Sequence, residues 1–421
     1  MSQSTTEPAH ADAPIARPAA PALRVWPAVL IVAVFWAGYV ALMASDMVIS
    51  LSFMSLVGLW LVCSLALVGW WLTRRQLSWS ERLAAVAVAV LGATLCALVS
   101  REALGVMNAV FFGFPLVWTA WVGWLLFSRN ASERTRRAGL LVAILLVWGA
   151  VSLLRVDGID GKMLPSLHWR WTPTDEQLYL AEKRAAGAPV AKRDEVTEPL
   201  VLEAGDWPGF RGPGFLGEQE HAPIATDWDT SPPKLLWKRR VGPAWSSFVV
   251  IGDRLFTQEQ RDQDEATVCL DAASGDELWA HVDKARFWDG QAGAGPRGTP
   301  TFHNGRLYTY GATGILDCLD AATGKLLWTR DVVAETKAPL PMWGFSSSPL
   351  VVENRVIVFA GGPDDKGLVA YDALSGAPAW EAASGPISYS TAQLVSVDGQ
   401  PQVLLLTDTG VVAVEPAAGK R

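Results

Sequence analysis

Apolar residues are distributed along this chain in two different ways. Between residues 25 and 154 they form five long runs, at 25–43, 48–72, 83–99, 103–127 and 138–154. Each run is long enough to cross about 30 Å of hydrocarbon as a helix. Beyond residue 245 the apolar stretches are short. They are broken by pairs such as Gly252-Asp253 and Asn304-Gly305, the residue types of tight hairpin turns. The pattern predicts an N-terminal all-α transmembrane bundle of five helices followed by an all-β part. Residues 1–24, rich in Ala and Pro and poor in apolar periodicity, read as a disordered cytoplasmic tail.

Charge sets the orientation of the bundle. Arg74, Arg75 and Arg82 follow the second run, and Arg129, Arg134, Arg136 and Arg137 follow the fourth. The other two loops offer only Asp46 and the pair Arg101 with Glu102. Excess arginine marks the cytoplasmic side, so the N-terminus is expected inside and everything after Leu154 in the periplasm. The first partner implied is the lipid bilayer of an inner membrane. No group of His, Asp or Glu lies within the runs to mark an ion pathway. Trp36, Trp60, Trp70, Trp71, Trp118, Trp121 and Trp124 read as belt and helix-packing residues. A net charge of −7 excludes the basic face that a nucleic-acid partner requires.

Residues 155–205 read as a polar periplasmic linker holding one short helix, with Thr174 as its N-cap. After it one phrase recurs. Cys269-Leu-Asp-Ala-Ala-Ser-Gly-Asp-Glu-Leu-Trp279 returns as residues 318–328, again as 370–380, and as a fragment from Ala413 to Gly419. The corresponding glycines lie 49, 52 and 43 residues apart, a spacing typical of propeller blades. Each unit reads as two strands joined by a tight turn, a third strand ending in Asp, a Ser/Thr-Gly turn and a fourth strand bearing Trp.

The motif residues have structural work. Asp271, Asp320 and Asp372 can accept hydrogen bonds from turn amides. Gly275, Gly324 and Gly376 permit positive φ. Trp279, Trp328 and Trp380 can pack on the neighbouring blade. Lys234-Leu-Leu-Trp237 looks like a fourth strand displaced to the start, as ring closure requires. Cys269 and Cys318 hold equivalent positions one blade apart and read as buried thiols, not a disulfide.

This phrase resembles the tryptophan-docking motif of the pyrroloquinoline-quinone-like (PQQ-like) β-propellers, over residues 206–421. The family includes quinoprotein alcohol and glucose dehydrogenases, and also the non-enzymatic propeller lipoprotein of outer-membrane protein assembly. Family members close with seven or eight blades, whereas about four are legible here, at 245–285, 298–333, 346–384 and 389–421. A chain truncated at its C-terminus is therefore expected. A four-bladed ring and closure by another chain are the alternatives.

Propeller ligands bind at the axial mouth. The residues just before the innermost strands are Trp245, Arg297, Ser346 and Tyr389, with Trp343 beside them. They differ from blade to blade, as an asymmetric site requires. Arg297 suits a carboxylate or carbonyl, and Trp343 a planar group. His168, His221 and His281 lack neighbours at metal-ligand spacing, so no metal site is expected. His303, beside an Asn-Gly turn, and the acidic loop with Asp364 and Asp365 read as structural or solvated.

Two functions follow. The first is a binding module for periplasmic or envelope proteins or a ligand. The second, implied by the resemblance, is a dehydrogenase that uses the quinone and Ca²⁺ to oxidise an alcohol or sugar and passes electrons to membrane quinone. Membrane-bound glucose dehydrogenases share the five spans. The Arg-Tyr-Ser-Pro stretch that those enzymes carry is absent here, as is the Cys-Cys pair of the alcohol enzymes. No Ca²⁺ ligand or catalytic base can be assigned residue by residue.

Overall fold

Polar first turns set the start of two of the five long helices. The computed structural model describes residues 24–45, 47–99, 109–159, 165–187, 199–219, 224–290 and 292–421. The helices are α1 (Trp26–Met43), α2 (Ile49–Leu72), α3 (Trp79–Val99), α4 (Phe114–Phe127) and α5 (Glu133–Ser152). With the turns that flank α4 included, which extend it over Val110–Asn130, all five are long and apolar enough to cross a membrane. Two of them start earlier than hydropathy alone suggests. At the start of α3 the Ser78 N–H donates to the Glu81 carboxylate and the Glu81 N–H donates to Ser78 Oγ, and Ser132 caps α5 by accepting from Thr135 N at 3.2 Å. Arg82, Arg134, Arg136 and Arg137 thus lie in helical turns, not in loops. The tail at 1–23 and the beginning of the fourth run at 103–108 lie outside the described residues.

Within this first unit, residues 1–170, the tryptophans pack helix against helix. Trp70, Trp71, Trp118 and Trp121 are buried. Trp71 meets Trp121 edge-to-face with ring centres 4.9 Å apart. Trp36 Nε1 donates to Thr119 Oγ1 at 2.9 Å. After α5 the chain turns into an antiparallel hairpin, β1 (Leu154–Ile159) and β2 (Pro165–Trp169), pairing Arg155 with His168. Its side chains meet at Asp157, which engages Arg155 and, at 2.9 Å, His168 Nδ1.

The second unit runs from Trp171 to Arg421. Helix α6 (Asp175–Ala186) begins with a full capping box between Thr174 and Gln177. It is not a bare spacer, because its buried face is fastened to the first sheet. Tyr179 Oη donates to Glu259, Lys183 pairs with Glu277, and Glu176 takes Arg286 at 2.8 and 3.0 Å. Arg261 joins the two buried carboxylates, reaching Glu259 at 2.6 Å and Glu277 at 2.8 Å.

Four antiparallel sheets follow. The first holds β3 (Val249–Ile251), β4 (Arg254–Arg261), β5 (Asp264–Asp271) and β6 (Glu277–Asp283). A two-residue pair, β7 (Trp288–Asp289) and β8 (Gly293–Ala294), precedes the second sheet. That sheet holds β9 (Thr301–His303), β10 (Arg306–Tyr310), β11 (Ile315–Asp320) and β12 (Leu326–Asp331). After the short helix α7 (Val332–Thr336) comes a third sheet, of β13 (Leu350–Val352), β14 (Arg355–Phe359), β15 (Leu368–Asp372) and β16 (Pro378–Ala382). The last sheet has three strands, β17 (Gln393–Val397), β18 (Gln400–Thr407) and β19 (Gly410–Val414). The middle strands are the most buried, and their apolar residues form the core.

The Trp motif links each sheet to the next. Trp279 Nε1 donates to Ala321 O at 3.2 Å, Trp328 to Ala373 O at 3.1 Å and Trp380 to Pro416 O at 2.9 Å. Each indole also covers a motif glycine. A Cβ added to Gly324, Gly376 or Gly419 would lie 2.5, 2.7 or 2.6 Å from the ring of Trp279, Trp328 or Trp380. Those glycines have φ of 70°, 70° and 68°, so two independent constraints select Gly there. Asp271, Asp320 and Asp372 each accept turn amides through Oδ1, at 2.8–3.1 Å.

Trp237 repeats the arrangement on the first sheet, covering Gly275 and donating to Ala272 O at 2.9 Å. The residues around it form no strand, contrary to the sequence reading. They dock through the indole without a backbone ladder, and a strand needs a paired neighbour. The segment at Asp206 is a loop, as its Gly and Pro content implies. Trp207 exchanges backbone hydrogen bonds with Val250 at 2.8 and 2.9 Å, and Asp206 accepts from Gly252 N at 2.9 Å. All four cysteines are buried and outside any disulfide, and burial pushes Cys269 up to about 12 and Cys318 up to about 11.

Candidate functional site

A hydroxyl ladder crosses the chain just before the innermost strands. Ser247 N donates to Thr299 Oγ1, Thr299 N to Ser348 Oγ and Ser348 N to Thr391 Oγ1, each at 3.0 Å. These residues hold one position in four successive repeats. The ladder fixes the starts of the strands and therefore the residues two positions earlier, Trp245, Arg297, Ser346 and Tyr389.

The five residues expected at a mouth fall into different surroundings. Trp245 is 64% exposed. Its backbone N–H donates to Pro296 O and its Nε1 to Ala292 O, both at 2.9 Å. Trp245 therefore leans on the loop that carries Arg297. Trp343, 41% exposed, lies against Tyr389 with ring centres 5.0 Å apart and planes tilted by 41°. Ser346 is half-buried, with Oγ 3.3 Å from Gly344 O.

Arg297 is engaged internally. Its side chain is only 5% exposed and pairs with Asp289 at 2.5 Å. Its Nη atoms also reach the carbonyls of Gly293 and Gly295 at 2.8 and 2.9 Å, Nε is buried with no hydrogen-bond partner, and the guanidinium lies 5.1 Å from the Phe287 ring. It ties the β7–β8 loop into a knot. A planar quinone bearing carboxylates needs free cations, and an arginine neutralised by an internal carboxylate is a poor fit for it.

A second group was not legible from residue spacing. His281 and Asp283 sit two apart on β6 and so share a face. Asp317, on β11 of the next sheet, faces them. His281 Nε2 lies 3.5 Å from Asp283 Oδ1 and 3.4 Å from Asp317 Oδ2. Glu265 pairs in register with Asp283 and accepts the backbone N–H of Ala312 across the sheet boundary. Burial pushes Glu265 up to about 7 and Asp317 up to about 6, while the two aspartates push His281 up to about 9. The reading that left His281 without metal-spaced neighbours is corrected here, because its partner Asp317 comes from the following repeat. Of the other histidines, His168 meets Asp157, His303 is half-buried beside Asn304, and His221 lies outside the described residues. Asp364 and Asp365 are exposed.

Known proteins resemble the repeat region. A family model described as outer membrane protein assembly factor BamB matches residues 263–421. Quinohemoprotein alcohol dehydrogenase ADH IIB of Pseudomonas putida is 34% identical over 119 residues, which is 27% of this chain and 16% of that protein. Polyvinylalcohol dehydrogenase of Sphingopyxis sp. (strain 113P3) is 30% identical over 166 residues, 32% of this chain and 24% of that protein. The chain thus spans under a quarter of the length of either relative. Among solved structures, quinohemoprotein alcohol dehydrogenase ADHIIG of Pseudomonas putida aligns at 18% identity and a TM-score of 0.37, over 52% of this chain and 39% of that one. BamB of Moraxella catarrhalis aligns at 20% identity and a TM-score of 0.29, over 41% and 45%. Taken with the repeated Asp, Gly and Trp contacts, the sequence matches show that the β unit is similar to PQQ-like propeller repeats, and five long apolar helices precede it in the chain.

Proposed function

We propose that this chain is a membrane-anchored binding module. Its five helices hold it in the inner membrane with the N-terminus cytoplasmic, and its repeats stand in the periplasm and bind polypeptide segments of envelope proteins. One observation carries the reading. At the mouth the aromatic rings of Trp245, Trp343 and Tyr389 are offered, while the cation beside them, Arg297, is already neutralised by Asp289. Two exposed Trp rings, one of them against a half-buried Tyr, suit protein recognition on a sheet scaffold. The match to an outer membrane assembly factor supports the same class of partner.

A photo-cross-linking amino acid at Trp343 or Trp245 in growing cells tests this. An envelope polypeptide captured at both sites, and not from Asp365, is the expected outcome. Labelling equal at all three positions would contradict it.

The second reading is a quinone- and Ca²⁺-dependent dehydrogenase of an alcohol or sugar. It is favoured by the identity of 34% and 30% to two dehydrogenases. It predicts dye reduction by an alcohol once the quinone and Ca²⁺ are supplied.

A further inference from the structure

We infer that His281, Asp283 and Asp317, with Glu265 beside them, form a divalent zinc site at the boundary between the first two sheets. Three features point to an ion. The first is spacing. Nε2 stands 3.4 and 3.5 Å from two carboxylate oxygens, beyond the usual hydrogen-bond range of about 2.7–3.2 Å. Around an ion with bonds of about 2.0–2.2 Å, tetrahedral ligands lie about 3.3–3.6 Å apart. The two separations from Nε2 match those edges, and the three ligand atoms all lie within 4.8 Å of one another.

The second feature is burial without partners. Asp317 is 1% exposed and Glu265 5%. Asp317 Oδ1, Glu265 Oε1 and His281 Nε2 are all buried atoms with no hydrogen-bond partner. Polar atoms buried in this way cost stability unless something satisfies them. One cation at the centre of the group would serve several at once.

The third is the donor set. One imidazole and three carboxylates offer a dication a net negative, mixed nitrogen and oxygen environment. Calcium prefers oxygen alone, whereas an imidazole with carboxylates suits zinc. Three ligands from His281, Asp283 and Asp317 leave a fourth position for Glu265 or water. The ligands come from β6 and β11, so the ion would clamp two successive repeats together. Asp283 is the least buried of the three, with 26% of its side chain exposed, and marks the entry path.

The test uses the full chain in detergent, stripped with a chelator and titrated with zinc sulfate by calorimetry. One equivalent should bind, and His281→Ala should weaken binding by about 100-fold or more and Asp283→Asn by about 10–100-fold. Asp283→Asn lies on the rim and keeps the measurement usable if His281→Ala fails to fold. Cobalt in place of zinc should give the intense visible absorption of a tetrahedral site, and millimolar calcium should not displace it. No saturable zinc binding by the stripped protein would overturn the proposal, as would binding unchanged in both variants. The group would then be an imidazolium held between two carboxylates.

Discussion

Thr299 accepts the backbone N–H of Ser247 through its hydroxyl and donates its own N–H to Ser348 Oγ, so one residue closes a hydrogen bond on each side. Thr299 and Ser348 are both buried. Removing the Ser348 hydroxyl leaves the Thr299 amide unpaired in the interior. Ser348→Ala should lower stability by about 1–3 kcal/mol, read as a drop in thermal midpoint by near-ultraviolet circular dichroism. Ser348→Thr, which restores a hydroxyl, should recover most of it.

The outer contact makes a sharper prediction. Gly324 has φ of 70° and lies under the indole of Trp279. An added Cβ meets both an unfavourable backbone conformation and the ring. Gly324→Ala should cost about 2–4 kcal/mol. The same change at Gly252, whose φ is also positive but which has nothing near its Cβ position, should cost about 1–2 kcal/mol.

Helix α6 is fastened by a buried phenol. Tyr179 donates to Glu259, and burial together with that carboxylate drives the phenol well above its ordinary range. It stays neutral and donating at any physiological pH. Tyr179→Phe should cost about 1–3 kcal/mol. Limited proteolysis between residues 171 and 205 should quicken, with the Trp-docked sheets left intact.

Much of the repeat unit was legible because its signals are local. The Asp turn, the positive-φ Gly and the Trp recur within eleven residues of each other, and each element can be read without knowing its partner. The hydroxyl ladder was less visible, because Ser and Thr at strand starts are common and their acceptor role appears only when sheets stand side by side. His281 and Asp317 are separated in sequence by four strands and the turns between them, so spacing could not join them. Arg297 was legible as a cation just before an innermost strand, but Asp289, which neutralises it, arrives through the irregular β7–β8 segment. Helix α6 was found from Thr174, whereas its docking depends on Glu259 and Glu277 in strands far along the chain.

Acid should loosen that docking in a defined direction. Burial alone raises Glu277, but Arg261 and Lys183 more than reverse this and hold its carboxyl below the usual 4.5. A carboxyl lowered in the folded state stabilises it fully above the unfolded value, and that contribution fades as pH falls through the folded value. Stability should therefore decline below about pH 4.5. Glu277→Gln should be less stable at pH 7 and show a flatter acid limb in a series of thermal midpoints.

The choice between recognition and redox chemistry turns on whether the mouth accepts the quinone. The decisive measurement is a titration of the protein, extracted from its native membrane, with pyrroloquinoline quinone and Ca²⁺, followed by dye reduction with an alcohol or aldose. Because Asp289 already neutralises Arg297, a binding module gives no saturable quinone uptake and no dye reduction. Stoichiometric uptake accompanied by substrate-dependent dye reduction would contradict that assignment and make the protein a dehydrogenase.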